Sequence, residues 1–262
     1  MNFIKGFIKC VSFVLVFLSL TITVSAVSKP VSWYCIRTKN HTQPPIGSDL
    51  KFTEKYNLFW CDKMLNSDNK VVYLTFDAGY ENGNVKKIVD VLKEENVSGA
   101  FFILDNLIYK NEELVSEMIA NGNIVANHTA KHKDVTSFKS KEELQNELSR
   151  LECIYEEKYG QSMPKYFRPP EGKLNEQVLM WLDELGYKTI MWSFAYQDWD
   201  NNSQLSYEAA KRKILDNVHN GEVMLLHPTS KTNAEILKDV IVELKNQGYR
   251  FGTLDELCVK KY

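Results

Sequence analysis

The chain has 262 residues, 44% of them hydrophobic and 25% charged, with a net charge of −2. That is enough apolar material for one large domain with its own core, and it excludes a chain that stays unfolded throughout. No basic cluster stands out, so nucleic acid is not an expected partner.

Lys5 and Lys9 precede an apolar run from Val11 to Val24, and Val24-Ser25-Ala26 supplies small residues for cleavage. Residues 1–26 therefore have the pattern of a secretory signal peptide. A run of about 14 residues is short for a membrane span; an uncleaved N-terminal anchor is the alternative. Losing Lys5 and Lys9 would take the net charge from −2 to −4. An exported protein of that charge gains no attraction to anionic wall polymers. Of the five cysteines, Cys10 falls in this segment, and no CxxC pair suggests a zinc site. Cys35 and Cys61 could pair in an exported chain, closing a loop worth ~3 kcal/mol; two buried free thiols are the other reading.

Residues 27–69 form an N-terminal extension, irregular around Pro44-Pro45 and Gly47. Lys51–Asp62 is predicted as a short helix whose aromatic face (Phe52, Tyr56, Phe59, Trp60) packs on the following domain. Asn66–Lys70 reads as a turn. Val71–Phe76 is an apolar run that delivers Asp77 into a Gly- and Asn-rich break, the pattern of a buried strand feeding a loop. Strand-like and helix-like segments then alternate over residues 70–262. Strands are predicted at Ser98–Leu104, Ile124–Ala126, Lys165–Phe167, Lys188–Trp192, Glu222–Leu226 and Arg250–Thr253. Helices are predicted at Asn84–Asn96, Glu112–Ala120, Ser137–Tyr159, Asn175–Leu185, Leu205–Asn217 and Ala234–Gln247. Repeated β–α units imply parallel strands and right-handed crossovers. The expected fold is an α/β class (β/α) barrel of about seven strands, distorted or incomplete.

Polar residues gather at the ends of these strands: Asp77, His128 with His132, Arg168, Asp198 and His227. In a parallel barrel those ends share one face. His128 and His132 stand at i, i+4; on a helical turn they would face one way and could chelate a divalent ion. His227 titrates near neutral pH and suits proton donation. Asp198 could orient it, and Arg168 could keep Asp77 ionised. His41 and His219 read as surface residues. Tyr80 and Trp199 are aromatics near the loops of that face.

The ordered motifs TFDAG (Thr75–Gly79), HTAKH (His128–His132), RPPEG (Arg168–Gly172), SFAYQDW (Ser193–Trp199) and LLHP (Leu225–Pro228) resemble the polysaccharide deacetylases, the NodB-homology carbohydrate esterases. YLTFDAGYENG, KNHTQPPIG and WSFAYQDW are most similar to the spore-cortex branch, which de-N-acetylates muramic acid ahead of δ-lactam formation. The resemblance implies metal-assisted hydrolysis of an N-acetyl group on peptidoglycan. It gives Asp77 the role of base, His227 that of acid, and Arg168 and Asp198 supporting roles. It makes His128 and His132 ligands of a divalent metal, zinc or a substitute. One position departs from it: Ala78 stands where the usual pattern has a second Asp, the third metal ligand. Glu81, Asn82, Asn127 or water would have to complete the shell. The alternatives are a deacetylase of another glycan (wall N-acetylglucosamine, chitin, xylan) and an inactive glycan-binding relative.

Overall fold

The structure, a computed structural model, describes residues 29–65 and 69–259. The expected targeting segment with Cys10, and positions 66–68 of the expected turn, lie outside the described residues. No helix among the described residues is long and apolar enough to cross a membrane.

In chain order the elements are β1 (Val31–Ser32), β2 (Leu58–Phe59), β3 (Lys70–Ala78), α1 (Val85–Glu94), β4 (Ala100–Ile103), α2 (Asp105–Lys110), α3 (Glu112–Ala120), β5 (Ile124–Asn127) and α4 (Lys141–Tyr159). There follow β6 (Tyr166–Phe167), β7 (Lys173–Leu174), α5 (Glu176–Glu184), β8 (Lys188–Ile190), α6 (Tyr207–Leu215), β9 (Glu222–Leu226), α7 (Lys231–Asn246), β10 (Tyr249–Phe251) and α8 (Leu254–Leu257). One eight-stranded sheet runs β10-β3-β4-β5-β6-β8-β2, with β9 also paired to β3, and every strand pair in it is parallel. The short β1 and β7 pair separately, antiparallel.

The sheet curls back on itself at β9. Ser193 N and Phe194 N both donate to Val223 O, at 2.9 and 3.2 Å, and Leu225 N donates to Phe194 O at 2.8 Å. Beneath them, Cys61 bridges Glu222 and Asp62 N donates to Gly221 O at 2.8 Å. Both the segment after β8 and the segment after β2 therefore reach β9, giving a distorted (β/α) barrel. This corrects the expected helix over Lys51–Asp62. Residues Ser48–Lys55 form a 3-10 helix, and Leu58–Phe59 supplies an eighth strand against β8. The edge of β8 offers unpaired backbone groups that an aromatic-rich segment can satisfy while burying its rings. Short α2 was not expected either.

Alternation along β3 decides what faces where. Val72, Leu74, Phe76 and Ala78 pack with Val85, Ile88 and Val89 of α1 and Val240 and Ile241 of α7. Val71 and Tyr73 pack with Phe102, Ala126, Ile190 and Val223 in the barrel interior. Each such side chain contributes roughly 1.5–3 kcal/mol by burial. Thr75 and Asp77 share the parity of Val71 and Tyr73, so they face inward. His128 follows interior Ala126, Arg168 follows interior Tyr166, and His227 shares the parity of interior Val223. Binary patterning thus sends Asp77, His128, Arg168 and His227 into one strand-end rim, with Thr75 one step below.

One open alternative is decided and one expectation is corrected. Among the described cysteines, Cys35, Cys61, Cys153 and Cys258 are all free thiols, so the Cys35–Cys61 bond is not formed. His219 is buried at 2% exposure: its Nε2 lies 2.9 Å from Ser193 Oγ and its Nδ1 lies 3.0 Å from buried Glu222. Ser193 is remote in the chain and Glu222 is fully buried at the start of β9, and they stabilise the ring where it would otherwise be costly to bury.

Candidate active site

Arg168 is fully buried, and each of its three nitrogens donates a hydrogen bond. Nη1 donates to Asp77 Oδ1 at 2.8 Å, Nη2 to Thr75 Oγ1 at 2.9 Å, and Nε to Ile190 O at 3.0 Å. Its guanidinium also lies over the Phe102 ring at 4.3 Å. A planar fork pinned on three sides presents a fixed charge to Asp77. Burial alone would raise the Asp77 carboxyl. The charges of Arg168, then His128, then His227 outweigh burial and hold it below its ordinary range.

His128 and His132 do not sit on a helical turn. They lie in a loop in which Thr129 and His132 adopt left-handed φ values of 67° and 56°. Asn127, buried at the end of β5, accepts from Thr129 N at 2.8 Å and donates to Leu148 O at 3.0 Å. That bend brings the two rings edge to face, with centroids 5.1 Å apart. His128 Nδ1 sits 2.8 Å from Arg168 O and donates to it, which turns the Nε2 lone pair towards Asp77 Oδ2, 3.7 Å away. Burial, only partly offset by Asp77, pushes His128 down to about 4, so its ring stays neutral near neutral pH.

His227 faces this group from the end of β9. Its Nδ1 donates to Asp198 Oδ1 at 2.6 Å, and its backbone N donates to Asp198 Oδ2 at 2.8 Å. Nε2 is left as the nitrogen that can exchange a proton with a substrate. Burial opposes the charged ring, but the Asp198 hydrogen bond and charge, followed by Asp77, raise its pKa above the usual imidazole value. Trp199 stands edge-on to His227 at 5.9 Å and is 58% exposed, while Tyr80 is 47% exposed and bonded to Asn201 at 3.1 Å.

Asn233 is a further member that no motif flagged. It is buried near the start of α7; its Nδ2 donates to Asp198 Oδ2 at 2.6 Å and to His227 O at 3.1 Å. Tyr196 OH donates to Asn233 Oδ1, which fixes the amide's orientation. The only sequence signal for Asn233 was a polar residue at a helix start.

The donors fit a divalent cation in one specific way. Two imidazoles, ligands of the right type, stand together. No group of three or more His, Cys, Asp or Glu among the described residues could hold an ion. The candidates for a third position are occupied: Glu81 accepts from Gly83 N and from Lys86 N, Asn82 donates to Thr229 O, and Asn127 ties down the His128 loop. Ala78 is buried among apolar residues of the helix layer. The arrangement suits a cation held by two side chains, with the remaining positions open to water and substrate.

A buried carboxylate held by arginine faces an imidazole held by a second carboxylate on the strand-end rim of a barrel. The chain belongs to the polysaccharide deacetylase family, whose sequence profile matches residues 65–190. It is 38% identical over 238 residues to the peptidoglycan-N-acetylmuramic acid deacetylase PdaA of Bacillus subtilis, covering 89% of this chain and 88% of PdaA. The solved structure of PdaA, a family 4 carbohydrate esterase, matches with a TM-score of 0.82 over 87% of this chain and 97% of that one. The peptidoglycan-N-acetylglucosamine deacetylase PgdA of Listeria monocytogenes is 32% identical over 193 residues, 74% of this chain and 40% of PgdA.

Proposed function

We propose that this protein hydrolyses the N-acetyl group of N-acetylmuramic acid in peptidoglycan. The observation that carries the chemistry is the opposition of two pairs, Asp77 with Arg168 and His227 with Asp198, whose charges act on one another across the rim. Asp77, held ionised, takes a proton from water as its oxygen adds to the acetamide carbonyl. His227, holding a proton on Nε2, gives it to the nitrogen as the carbon–nitrogen bond breaks. The products are acetate and a free amino sugar. His128 and His132 would hold a divalent metal, zinc or a substitute, which would supply positive charge for the carbonyl oxygen. Trp199 and Tyr80 offer exposed ring faces for stacking sugars.

Muramic acid is favoured by the similarity to PdaA along nearly the whole chain. Ala78 supports the same choice: with no fixed carboxylate there, the lactyl carboxylate beside the acetamide meets less repulsion. In spore cortex the freed amine and that carboxyl would close to the δ-lactam. Such a substrate places the protein outside the cytoplasm, exported by way of residues 1–26 or anchored through them. An inactive binder is disfavoured, because binding alone requires neither a buried base nor a supported acid.

Mass spectrometry of peptidoglycan fragments incubated with purified protein, with and without chelator, tests this reading. Loss of acetyl from muramic residues, suppressed by chelator, is the expected result. Loss from glucosamine residues alone would redirect the substrate, and no loss from either would remove the reading.

A further inference from the structure

The loop that carries the two imidazoles is gripped by two buried carboxylates that the chemistry above does not use. Asp105, fully buried at the start of α2, donates its backbone N–H to Ala130 O at 3.1 Å; its carboxylate lies 2.8 Å from Lys131 Nζ and 3.7 Å from Arg150 Nε. Glu147, 6% exposed on α4, accepts from Lys131 N at 2.9 Å and lies 3.2 Å from Lys133 Nζ. The two lysines flank His132, and each is pinned to a different carboxylate. Lys133 N is also tied to Thr129 Oγ1 at 3.3 Å. Between these ties lie Thr129 and His132, both held at left-handed φ values that non-glycine residues seldom adopt. Buried carboxylates are costly unless they are paired and hydrogen-bonded, as these two are.

We infer that Asp105 and Glu147, acting through Lys131 and Lys133, are positioning residues that hold His132 against His128 before any cation arrives. This rests on the two-imidazole reading of the site. With Ala78 removing the usual third ligand, affinity must come from a site whose two donors need no rearrangement on binding. Preorganised ligand geometry of this kind is worth 10–100-fold in metal affinity where it has been perturbed.

The test is calorimetric titration of the metal-free full-length protein with Zn²⁺, comparing wild type with the K131M/K133M double variant. Both lysines are about half exposed, so the variant should fold. Charge and position make opposite forecasts. Removing two positive charges beside the site tightens cation binding by electrostatics alone. Loss of the grip weakens it, and we expect binding about tenfold weaker. Hydrogen exchange at the amides of positions 131 and 132 should speed up in the metal-free variant while the melting temperature stays near that of wild type. Equal or tighter Zn²⁺ binding would overturn the inference. Should the double variant fail to fold, K131M and K133M replace it singly: each removes one tie and one positive charge, so Zn²⁺ binding should weaken by about threefold or more, and equal or tighter binding would overturn the inference. If wild type binds no Zn²⁺, or H128Q/H132Q binds it equally well, the two-imidazole site itself falls, and the inference with it.

Discussion

Arg168 Nη1 lies 2.8 Å from Asp77 Oδ1, and the arginine is entirely inside the protein. The pair gives Asp77 a low pKa in a place where burial alone would raise it. Arg168→Met removes one partner of a buried pair, which costs about 3–5 kcal/mol. It also raises the Asp77 pKa. As the proposed base, Asp77 must be ionised, so the acid limb of the kcat/KM profile should move to higher pH in any folded variant. The sign for stability agrees. With a depressed folded pKa, Asp77 lends wild type stability above the ordinary carboxylate range, and that share is lost as pH falls through the folded value. Urea titrations across acid pH should show this drain in wild type and its absence in the variant.

His227 is governed by Asp198 in the opposite direction. Its raised pKa keeps the proton-donating form present further into the neutral range. Asp198→Asn removes the charge and the preferred acceptor for Nδ1. The alkaline limb of kcat should move to lower pH, and kcat should fall by about 10²-fold or more. A pH–rate profile with an unmoved alkaline limb would separate His227 from the acid role.

Asn233 orients this pair from outside the reaction. Asn233→Ala frees Asp198 Oδ2 from its 2.6 Å donor, and Tyr196→Phe frees the Asn233 amide to turn over. Each should lower kcat by roughly tenfold with KM little changed, since neither side chain is placed to touch a sugar. Steady-state kinetics on one defined substrate would check the split.

Ala78→Asp places a carboxylate in an apolar setting. Without metal, the variant should melt below wild type; divalent metal should restore part of the difference, because an ion that binds only the folded state stabilises it. The added negative charge should disfavour muramic over glucosamine substrates. Unharmed or improved activity on muramic substrates would remove the charge argument for Ala78.

Much of this was legible in the sequence, for physical reasons. The inward parity of Thr75, Asp77, Arg168 and His227 follows from strand alternation, which a run such as Val71–Phe76 advertises. The pairing of Asp77 with Arg168 followed from chemical complementarity at two strand ends. What was missed depended on distant partners. Leu58–Phe59 became a strand because β8 had an open edge, not because of its own pattern. His219 read as a surface residue, yet Ser193 and Glu222 make its burial tolerable. The His128–His132 spacing suggested a helix, whereas the loop reaches the same proximity through left-handed residues that a spacing rule cannot anticipate. Asn233 carries no motif, and only the folded contact with Asp198 gives it a role.

Acetate release from peptidoglycan by Asp77→Asn, measured against wild type at the same metal loading, tests the central claim most directly. Asparagine keeps the shape but cannot accept the water's proton, so the rate should fall by about 10²–10⁴-fold while the fold persists. Release at the wild-type rate would contradict the assignment of Asp77 as the base.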